Sequence, residues 1–157
     1  MARFAPAIRW IAVAVVLAIG GYLWYDQTRI AGAAAAARES LAVAPAAAAA
    51  IFSYDYRTFD ASVANGRSFT TGSFSDEYAK TTAALKDTAI KQHAVVSAQT
   101  TVSGVVDASP SRVEVLLYVN QYRRNVSITG EKVDQNRVLL TLSKVDGNWK
   151  VSGAAAI

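Results

Sequence analysis

The chain has 157 residues, no cysteine, 16 basic and 12 acidic side chains. Without cysteine it can form no disulfide, no thiolate nucleophile and no cysteine-ligated zinc site. Two of the basic residues, Arg3 and Arg9, precede an apolar segment, so the rest of the chain is close to neutral. Nucleic-acid binding needs a concentrated basic surface. The composition therefore excludes a nucleic-acid-binding protein.

The first predicted element is a transmembrane helix. The segment from Trp10 to Trp24 contains no charged residue, and with residues 5–8 the apolar stretch reaches about twenty residues, enough to cross a hydrocarbon core of ~30 Å. Basic residues before the helix place the N-terminus in the cytoplasm and the rest of the chain outside. The predicted borders of this single-pass anchor are Arg3, Arg9, Trp10, Trp24 and Tyr25.

Two other interpretations of the apolar segment exist. A buried core helix is rarely apolar on every face. A cleavable signal peptide is the stronger alternative, because Ala31-Gly32-Ala33 resembles a cleavage site. Bulky aromatic residues and then Asp26 separate the apolar run from those alanines. This spacing favours a retained anchor and leaves a cleaved signal as the alternative.

The remaining chain is predicted to divide into a stalk and a domain. Residues 1–25 form the cytoplasmic tail and transmembrane helix, residues 26–45 an alanine-rich juxtamembrane helix, and residues 46–157 the extracytoplasmic domain. Pro45 suits the first turn of a helix, where its missing N–H is harmless. The following helix is expected to present one apolar face with the spacing i, i+4, i+7, i+11. That face consists of Phe52, Tyr56, Phe59 and Val63.

Two further helices and an antiparallel sheet are predicted next. Asp60 is expected to cap a short second helix, and a third helix begins near Ser75 and ends near Gln92. From Val95 the apolar period changes from 3.6 to 2, which indicates strands. The predicted strands cover residues 96–106, 113–119, 138–142 and 149–153, with a long connection over residues 123–136 and an Asp146-Gly147 hairpin turn. Helices followed by such a meander predict an α+β layer.

Several segments of the chain resemble the Mce-associated membrane proteins, single-pass actinobacterial proteins often encoded beside Mce lipid importers. They are SYDYRTFDASVANGRSFTTGSFSDEYAK, the strand end LLYVNQ and the closing RVLLTLSKVDGNWKVSG. The resemblance implies an NTF2-like, VirB8-like periplasmic cone of about three helices packed on a curved four-stranded antiparallel sheet. It also implies a non-catalytic accessory role that assists a lipid-import complex in the cell envelope. Protein partners in that transporter are expected, and no cofactor.

The chemistry-bearing residues indicate no catalytic or metal site. His93 is the only histidine, no metal-ligand spacing occurs, and Asp55 and Asp60 point to different faces of a continuous helix. Asp55 and Arg57 cannot share a helix face at i, i+2 and should bond elsewhere. The densest polar-aromatic cluster is interpreted as a structural node that orients the first helix on the sheet. Its members are Phe52, Tyr54, Asp55, Tyr56, Arg57, Phe59, Asp60 and Tyr78.

Two functional hypotheses remain open at this point. The first is a membrane-anchored interaction subunit of a transporter complex. The second is a domain whose cone binds a small apolar ligand, such as a lipid or sterol. If apolar side chains fill the cone, the first hypothesis is favoured, whereas a cavity of several hundred Å³ supports the second.

Overall fold

A computed structural model describes the backbone of residues 5–157 and the side chains of residues 15–157. Helices occupy the first part of the chain and strands the second, as the change of period predicts. The elements are α1 (Ala5–Phe52), β1 (Tyr54–Asp55), a 3₁₀ turn (Tyr56–Thr58), α2 (Phe59–Ser68), α3 (Gly72–Lys91), β2 (Val95–Ala108), β3 (Arg112–Arg124), β4 (Lys132–Val145) and β5 (Asn148–Ala156).

Helix α1 is a single helix of 48 residues that runs through the predicted anchor, stalk and first domain helix. The part from Val15 onward is long and apolar enough to cross a membrane, by length and composition. Pro45 lies inside the helix, so the prediction that it begins a helix is wrong. Its ring removes one backbone hydrogen bond, but the helix continues because buried Ala44 and Ala47 hold it against the sheet on both sides of the proline.

The two parts of α1 differ in burial. Large apolar side chains between Val15 and Ile30 are exposed, including Trp24 at 75% and Tyr25 at 64%. The predicted border side chains of Arg3, Arg9 and Trp10 lie outside the described residues. From Ala36 onward one face of the helix is buried, ten residues before the predicted domain boundary at residue 46. This face consists of Ala36, Ser40, Ala44, Ala47, Ala48 and Ile51.

The sheet has five strands in the order β1-β2-β3-β4-β5, and all named neighbours are antiparallel. Four strands are predicted; the fifth, β1, has only two residues and is too short to show a period. Asp146 and Gly147 have φ of 49° and 81°, so the predicted hairpin turn is confirmed. The connection between β3 and β4 covers only residues 125–131. The prediction of a long connection over 123–136 is wrong, because both strands continue with polar side chains.

The core lies between α1 and the inner face of the sheet. Helix α1 packs mainly on β2 and β3, and α3 packs on β5. Alternate residues of the central strands face the helices, and the predicted apolar positions of β3, β4 and β5 are confirmed by their burial. The most deeply buried are Val113, Val115, Leu117, Val119, Leu140, Leu142 and Val151. In β2 only Val96 and Ala98 are buried. The prediction for Val102 is wrong, because a register shift between Thr100 and Val102 turns it to the other face of the sheet.

The helical segment after α1 differs from its prediction. The prediction of a continuous helix from Phe52 to Val63 is wrong. The chain leaves α1 at Ser53 and pairs with β2 through Tyr54 and Asp55. The Ser53 hydroxyl accepts a hydrogen bond from the Ala98 backbone at 2.9 Å. A contact between residues 45 positions apart in the chain therefore overrides the local helical pattern.

Candidate functional site

The polar-aromatic cluster is held by a local ion pair. Asp55 accepts hydrogen bonds from the Arg57 backbone N–H at 2.9 Å and from the Arg57 Nε at 3.0 and 3.1 Å. The side-chain hydrogen bond from Arg57 is the largest cause that lowers the pKa of Asp55. The expectation that the two residues bond elsewhere is wrong, because an extended residue followed by a 3₁₀ turn brings i and i+2 together.

Aromatic contacts connect this segment to the neighbouring elements. Tyr54 meets Phe59 edge to face at 5.5 Å between ring centroids. Tyr56 stacks on His93 at 4.8 Å with an interplanar angle of 16°, and its backbone N–H donates to Ala94 O at 3.0 Å. Phe59 is buried, whereas Phe52 and Tyr56 are half-buried. Phe59 packs with Ala89 of α3 and with Ala94, in a small cluster separate from the contact between α1 and the sheet.

Asp60 joins α2 to α3. Both of its carboxylate oxygens accept from Lys86 Nζ at 2.7 Å. The N-cap of α2 is Thr58, so the prediction that Asp60 caps this helix is wrong. The 3₁₀ turn places Asp60 one residue inside the helix, where its negative charge lies in the favourable first turn.

Tyr78 lies deep between α1, α2 and α3. Its side chain is 8% exposed, and burial raises the pKa of its hydroxyl. Its hydroxyl oxygen occupies the space that a Cβ on Gly66 would need, and such a Cβ would lie 2.8 Å from Ala50 O. Only glycine at position 66 lets α1, α2 and the tyrosine approach this closely. Sequence reasoning identified Tyr78, but the requirement for Gly66 depends on tertiary packing.

An apolar cleft opens between the helices and the sheet, and we term it the cone cleft. Its volume is about 330 Å³, so an open space remains beside the packed core. Tyr54 and Tyr78 line it, and burial raises the pKa of the Tyr54 hydroxyl. Its apolar lining includes Ile51, Phe52, Phe59, Val63, Phe74 and Leu85.

A polar depression adjoins the cone cleft and shares Gln121 with it. Arg123 pairs with Asp134, and Asn136 Nδ2 donates to Gln121 Oε1 at 3.0 Å. These four residues continue the inner sheet face beyond Val119, as the strand register shows. The Arg123 Nε atom is buried and has no hydrogen-bond partner among the described residues. We term these four residues the polar mouth.

The opposite side of the sheet carries an unusual apolar area. One face of an antiparallel sheet commonly faces water and carries polar side chains. Here Val102 and Tyr118 are neighbours across the strands and are 60% and 44% exposed. Leu116 pairs with Leu139 in the next row, and both are half-buried. We term these four residues the outer sheet face. Exposed apolar patches of this kind are typical of interaction surfaces.

Helix α1 is joined to the β4–β5 hairpin through Glu39. Its Oε2 atom accepts hydrogen bonds at 2.8 Å from Lys144 Nζ and from Trp149 Nε1. The hydrogen bond from Lys144 is the largest cause that lowers the pKa of Glu39. The partners are 105 and 110 positions away in the chain, so no local sequence pattern could have identified this group.

The arrangement offers little for acid–base or metal chemistry. Within the part of the chain whose side chains are described, no group of three histidine, aspartate or glutamate residues could hold a metal ion. His93 lies on the surface in a left-handed conformation, with φ of 48°, and it is absent from the cone-cleft lining. The node residues thus meet through packing and ion pairs and do not converge on a single reacting position.

Comparisons with known proteins give relatives in Mycobacterium tuberculosis. No family model matches the chain. Outer membrane protein Rv1973 of Mycobacterium tuberculosis is 32% identical over 146 residues, covering 90% of this chain and 88% of the relative. Uncharacterized protein Rv1362c of Mycobacterium tuberculosis is 30% identical over 118 residues, covering 74% of this chain and 54% of the relative. The chain thus spans about half the length of this second relative.

Solved structures share the fold at low identity. An IcmL-like type IV secretion system protein from Legionella pneumophila has a TM-score of 0.63 and 17% identity, covering 76% of this chain and 91% of that one. The periplasmic domain of DotI has a TM-score of 0.61 and 17% identity, covering 73% of this chain and 89% of that domain. VirB8 of Agrobacterium tumefaciens has a TM-score of 0.55 and 12% identity, covering 71% of this chain and 84% of VirB8. The chain therefore belongs to the family of outer membrane protein Rv1973, and its folded part has the NTF2-like architecture of VirB8-type periplasmic domains.

Proposed function

We propose that the protein is a non-catalytic, membrane-anchored accessory subunit that assists an Mce-type lipid-import complex in the cell envelope. The observation that carries this proposal is the exposed apolar outer sheet face on a domain attached directly to an apolar helix. The choice of a lipid importer as the partner complex rests on the resemblance to the Mce-associated proteins. Relatives of similar fold include type IV secretion proteins, which supports a place in a multi-protein envelope assembly.

The proposed topology follows the charges and apolar length of the N-terminus. Residues 1–25 form the cytoplasmic tail and transmembrane helix, residues 26–45 continue as the juxtamembrane part of α1, and residues 46–157 complete the extracytoplasmic domain. Arg3 and Arg9 before the apolar run support a cytoplasmic N-terminus. The exposure of Tyr22, Trp24 and Tyr25 suits side chains at a lipid–water border. The structural node is proposed to hold α1, α2 and α3 on the sheet.

The outer sheet face is the proposed contact with the transporter. Apolar anchors at the centre of an interface contribute most of its binding free energy. The charged residues around the outer sheet face form local ion pairs, such as Arg112 with Glu114, and suit a polar rim. Tyr118 is the aromatic residue of this face and offers a large apolar surface together with a hydroxyl group.

Affinity purification of the full chain from its native membrane tests this proposal. We expect subunits of a lipid-import complex to co-purify with the unmodified chain, and Tyr118→Glu to reduce their yield at least tenfold. Ile90→Glu is the matched control, because Ile90 is 42% exposed on α3 and is not part of the outer sheet face. Equal recovery of the complex with both variants, or no transporter subunit with the unmodified chain, would contradict the proposal.

The unfilled cone cleft favours a second candidate function, the binding of a small apolar ligand. A cleft of about 330 Å³ lies at the lower end of the range for ligand pockets. The polar mouth offers hydrogen-bond donors and acceptors beside the apolar lining, including the Arg123 Nε atom without a partner among the described residues. This arrangement suits an amphiphile with its tail in the cone cleft and its head at the polar mouth.

Mass spectrometry of the full chain purified in a mild detergent tests the second candidate. We expect one lipid-like molecule to remain bound, and Val63→Phe to displace it by filling the cone cleft. Val126→Phe is the control, because Val126 is exposed between β3 and β4. Retention of the molecule by Val63→Phe, or its absence from the unmodified chain, would rule out the ligand.

A further inference from the structure

Helix α1 meets the sheet very soon after its apolar segment ends. Arg29, Ile30 and Ala33 form one wall of a cleft of about 390 Å³, and residues 107–110 of the β2–β3 turn form the other. A Cβ added to Gly32 would lie 3.2 Å from Pro110 Cγ. The turn therefore lies directly against the helix. This contact is at the end of the domain that is nearest to the apolar segment.

The helical rise gives the height of this contact above the membrane. Arg29 follows Tyr25 by four residues and Gly32 follows it by seven, which correspond to about 6 and about 10 Å along the helix axis. The headgroup layer on each side of a bilayer is about 5–8 Å thick, half of the difference between the whole bilayer and its core. With Tyr25 at the edge of the hydrocarbon core, the β2–β3 turn lies at the outer boundary of the headgroups.

The side chains at this end suit a lipid surface. Ile30 is 62% exposed and Val106 is 60% exposed. Val106 is the extra residue of a bulge in β2, between Val105 and Asp107. Arg29 is exposed and forms no ion pair with any residue of the described range. Apolar side chains combined with an arginine bind the boundary between headgroups and acyl chains, because the guanidinium reaches the lipid phosphates.

We propose that this membrane-proximal surface, consisting of Arg29, Ile30, Val106 and Pro110, lies on the lipid headgroup layer as a second membrane contact. Arg29 binds lipid phosphate, and Ile30 and Val106 lie among the lipid headgroups. The inference rests on the proposed membrane anchoring of α1. It adds that the domain sits on the bilayer and does not stand away from it on a stalk. The occupant of this surface is the lipid itself, because the helix that carries the surface leads directly into the apolar segment.

Spin labels on the full chain in phospholipid nanodiscs test the inference. The sequence has no cysteine, so single replacements give one label each. Val106→Cys reports on the proposed contact. Val126→Cys is the matched control, because Val126 is 65% exposed in the β3–β4 connection near Gln92, at the opposite end of the domain. Leu23→Cys reports on the anchor. Accessibility to oxygen, which concentrates in lipid, and to a water-soluble nickel chelate is measured for each label.

We expect the label at position 106 to be at least threefold less accessible to nickel than the label at position 126, and more accessible to oxygen. The label at position 23 should be accessible to oxygen alone. If positions 106 and 126 behave alike while position 23 lies in lipid, the surface contact is refuted and the anchor stands. If position 23 is open to nickel, the anchoring itself is wrong, and the inference that rests on it is refuted as well.

Discussion

The two parts of α1 are both apolar helix and yet meet different surroundings. Before Ile30 the helix carries large side chains such as Leu17, Ile19 and Leu23, all at least half exposed. From Ala36 to Ala48 its buried positions are alanines and one serine. Large side chains offer area to lipid, whereas alanine lets a helix approach a sheet closely. The comparison teaches that residue size, more than hydrophobicity, determines which part of this helix packs on protein.

The largest expected effect comes from a charge in the first part. Leu17→Asp places a carboxylate in the apolar segment, at a cost of about 3 kcal/mol for membrane insertion. We expect the variant to leave the membrane fraction after a carbonate wash, while its domain unfolds at the unmodified temperature. Unchanged membrane retention would show that this part does not span lipid. Ala42→Asp, at an exposed position of the second part, should remain in the membrane.

The second prediction enlarges an alanine in the packed part. Ala44 is fully buried, and Ala44→Leu should lower the free energy of unfolding by about 1–3 kcal/mol, because the added carbons have no space against the sheet. Thermal melts of the full chain in detergent, followed by circular dichroism, measure this loss. Ala42→Leu is the matched control on the exposed side of the same turn and should change the melting temperature little. Equal melts for the two variants would show that α1 does not pack as described.

The third prediction concerns the serine in the packed face. Ser40 is fully buried, and its hydroxyl has no hydrogen-bond partner among the described residues. Burying a hydroxyl without a partner costs about 1–3 kcal/mol. Ser40→Ala should therefore stabilise the domain by about 1 kcal/mol and raise its melting temperature. A lower melting temperature would mean that the hydroxyl has a bonding role. Ser62→Ala on α2, whose hydroxyl bonds to Thr58 O, should give no such gain.

The smallest effect is expected at Glu39 and depends on pH. Hydrogen bonds from Lys144 and Trp149 lower the pKa of Glu39 below its ordinary value of 4.5. The stabilisation is therefore fully present above that pH and is lost as the pH falls through the lower pKa of the folded state. Glu39→Gln should be slightly less stable at pH 7 and converge with the unmodified chain in acid. Asp87→Asn, on the exposed side of α3, is the control for removing a surface carboxylate. A gap between Glu39→Gln and the unmodified chain that stays constant with pH would contradict the prediction.

Much of the fold follows from local sequence patterns. The period-2 apolar positions of β3, β4 and β5, and the turn at Asp146-Gly147, are where the sequence predicts them, whereas those of β2 change face at the register shift after Thr100. These features depend on near neighbours, whose side chains alternate between the two faces of a strand. Helical spacing also predicts one apolar face for α3, made of Phe74, Tyr78, Leu85 and Ala89, and Tyr78 and Ala89 are buried on it.

The parts that the sequence could not predict depend on distant residues. The end of α1 at Phe52 depends on pairing between Tyr54 and Val96. The position of α1 on the sheet depends on Glu39 and on Trp149, which lies far away in the chain. The unfilled cone cleft is likewise a property of the packed helices and cannot be read from apolar composition. Sequence patterns therefore predicted the elements better than the site that these elements form.

The backbone of α1 is uninterrupted from the proposed anchor to the domain, so the length of the helix determines how the domain is oriented about the helix axis. Each residue inserted between Tyr25 and Arg29 would turn the whole domain by about 100° and lift it by about 1.5 Å. One added residue would therefore rotate the outer sheet face about the helix axis, so that it faces a different direction parallel to the membrane plane. Seven added residues make almost two full helical turns, so they would nearly restore the rotation of the domain about the helix axis but raise the domain by about 10 Å. The angular position of the outer sheet face about the helix axis is thus set by the residue count of α1.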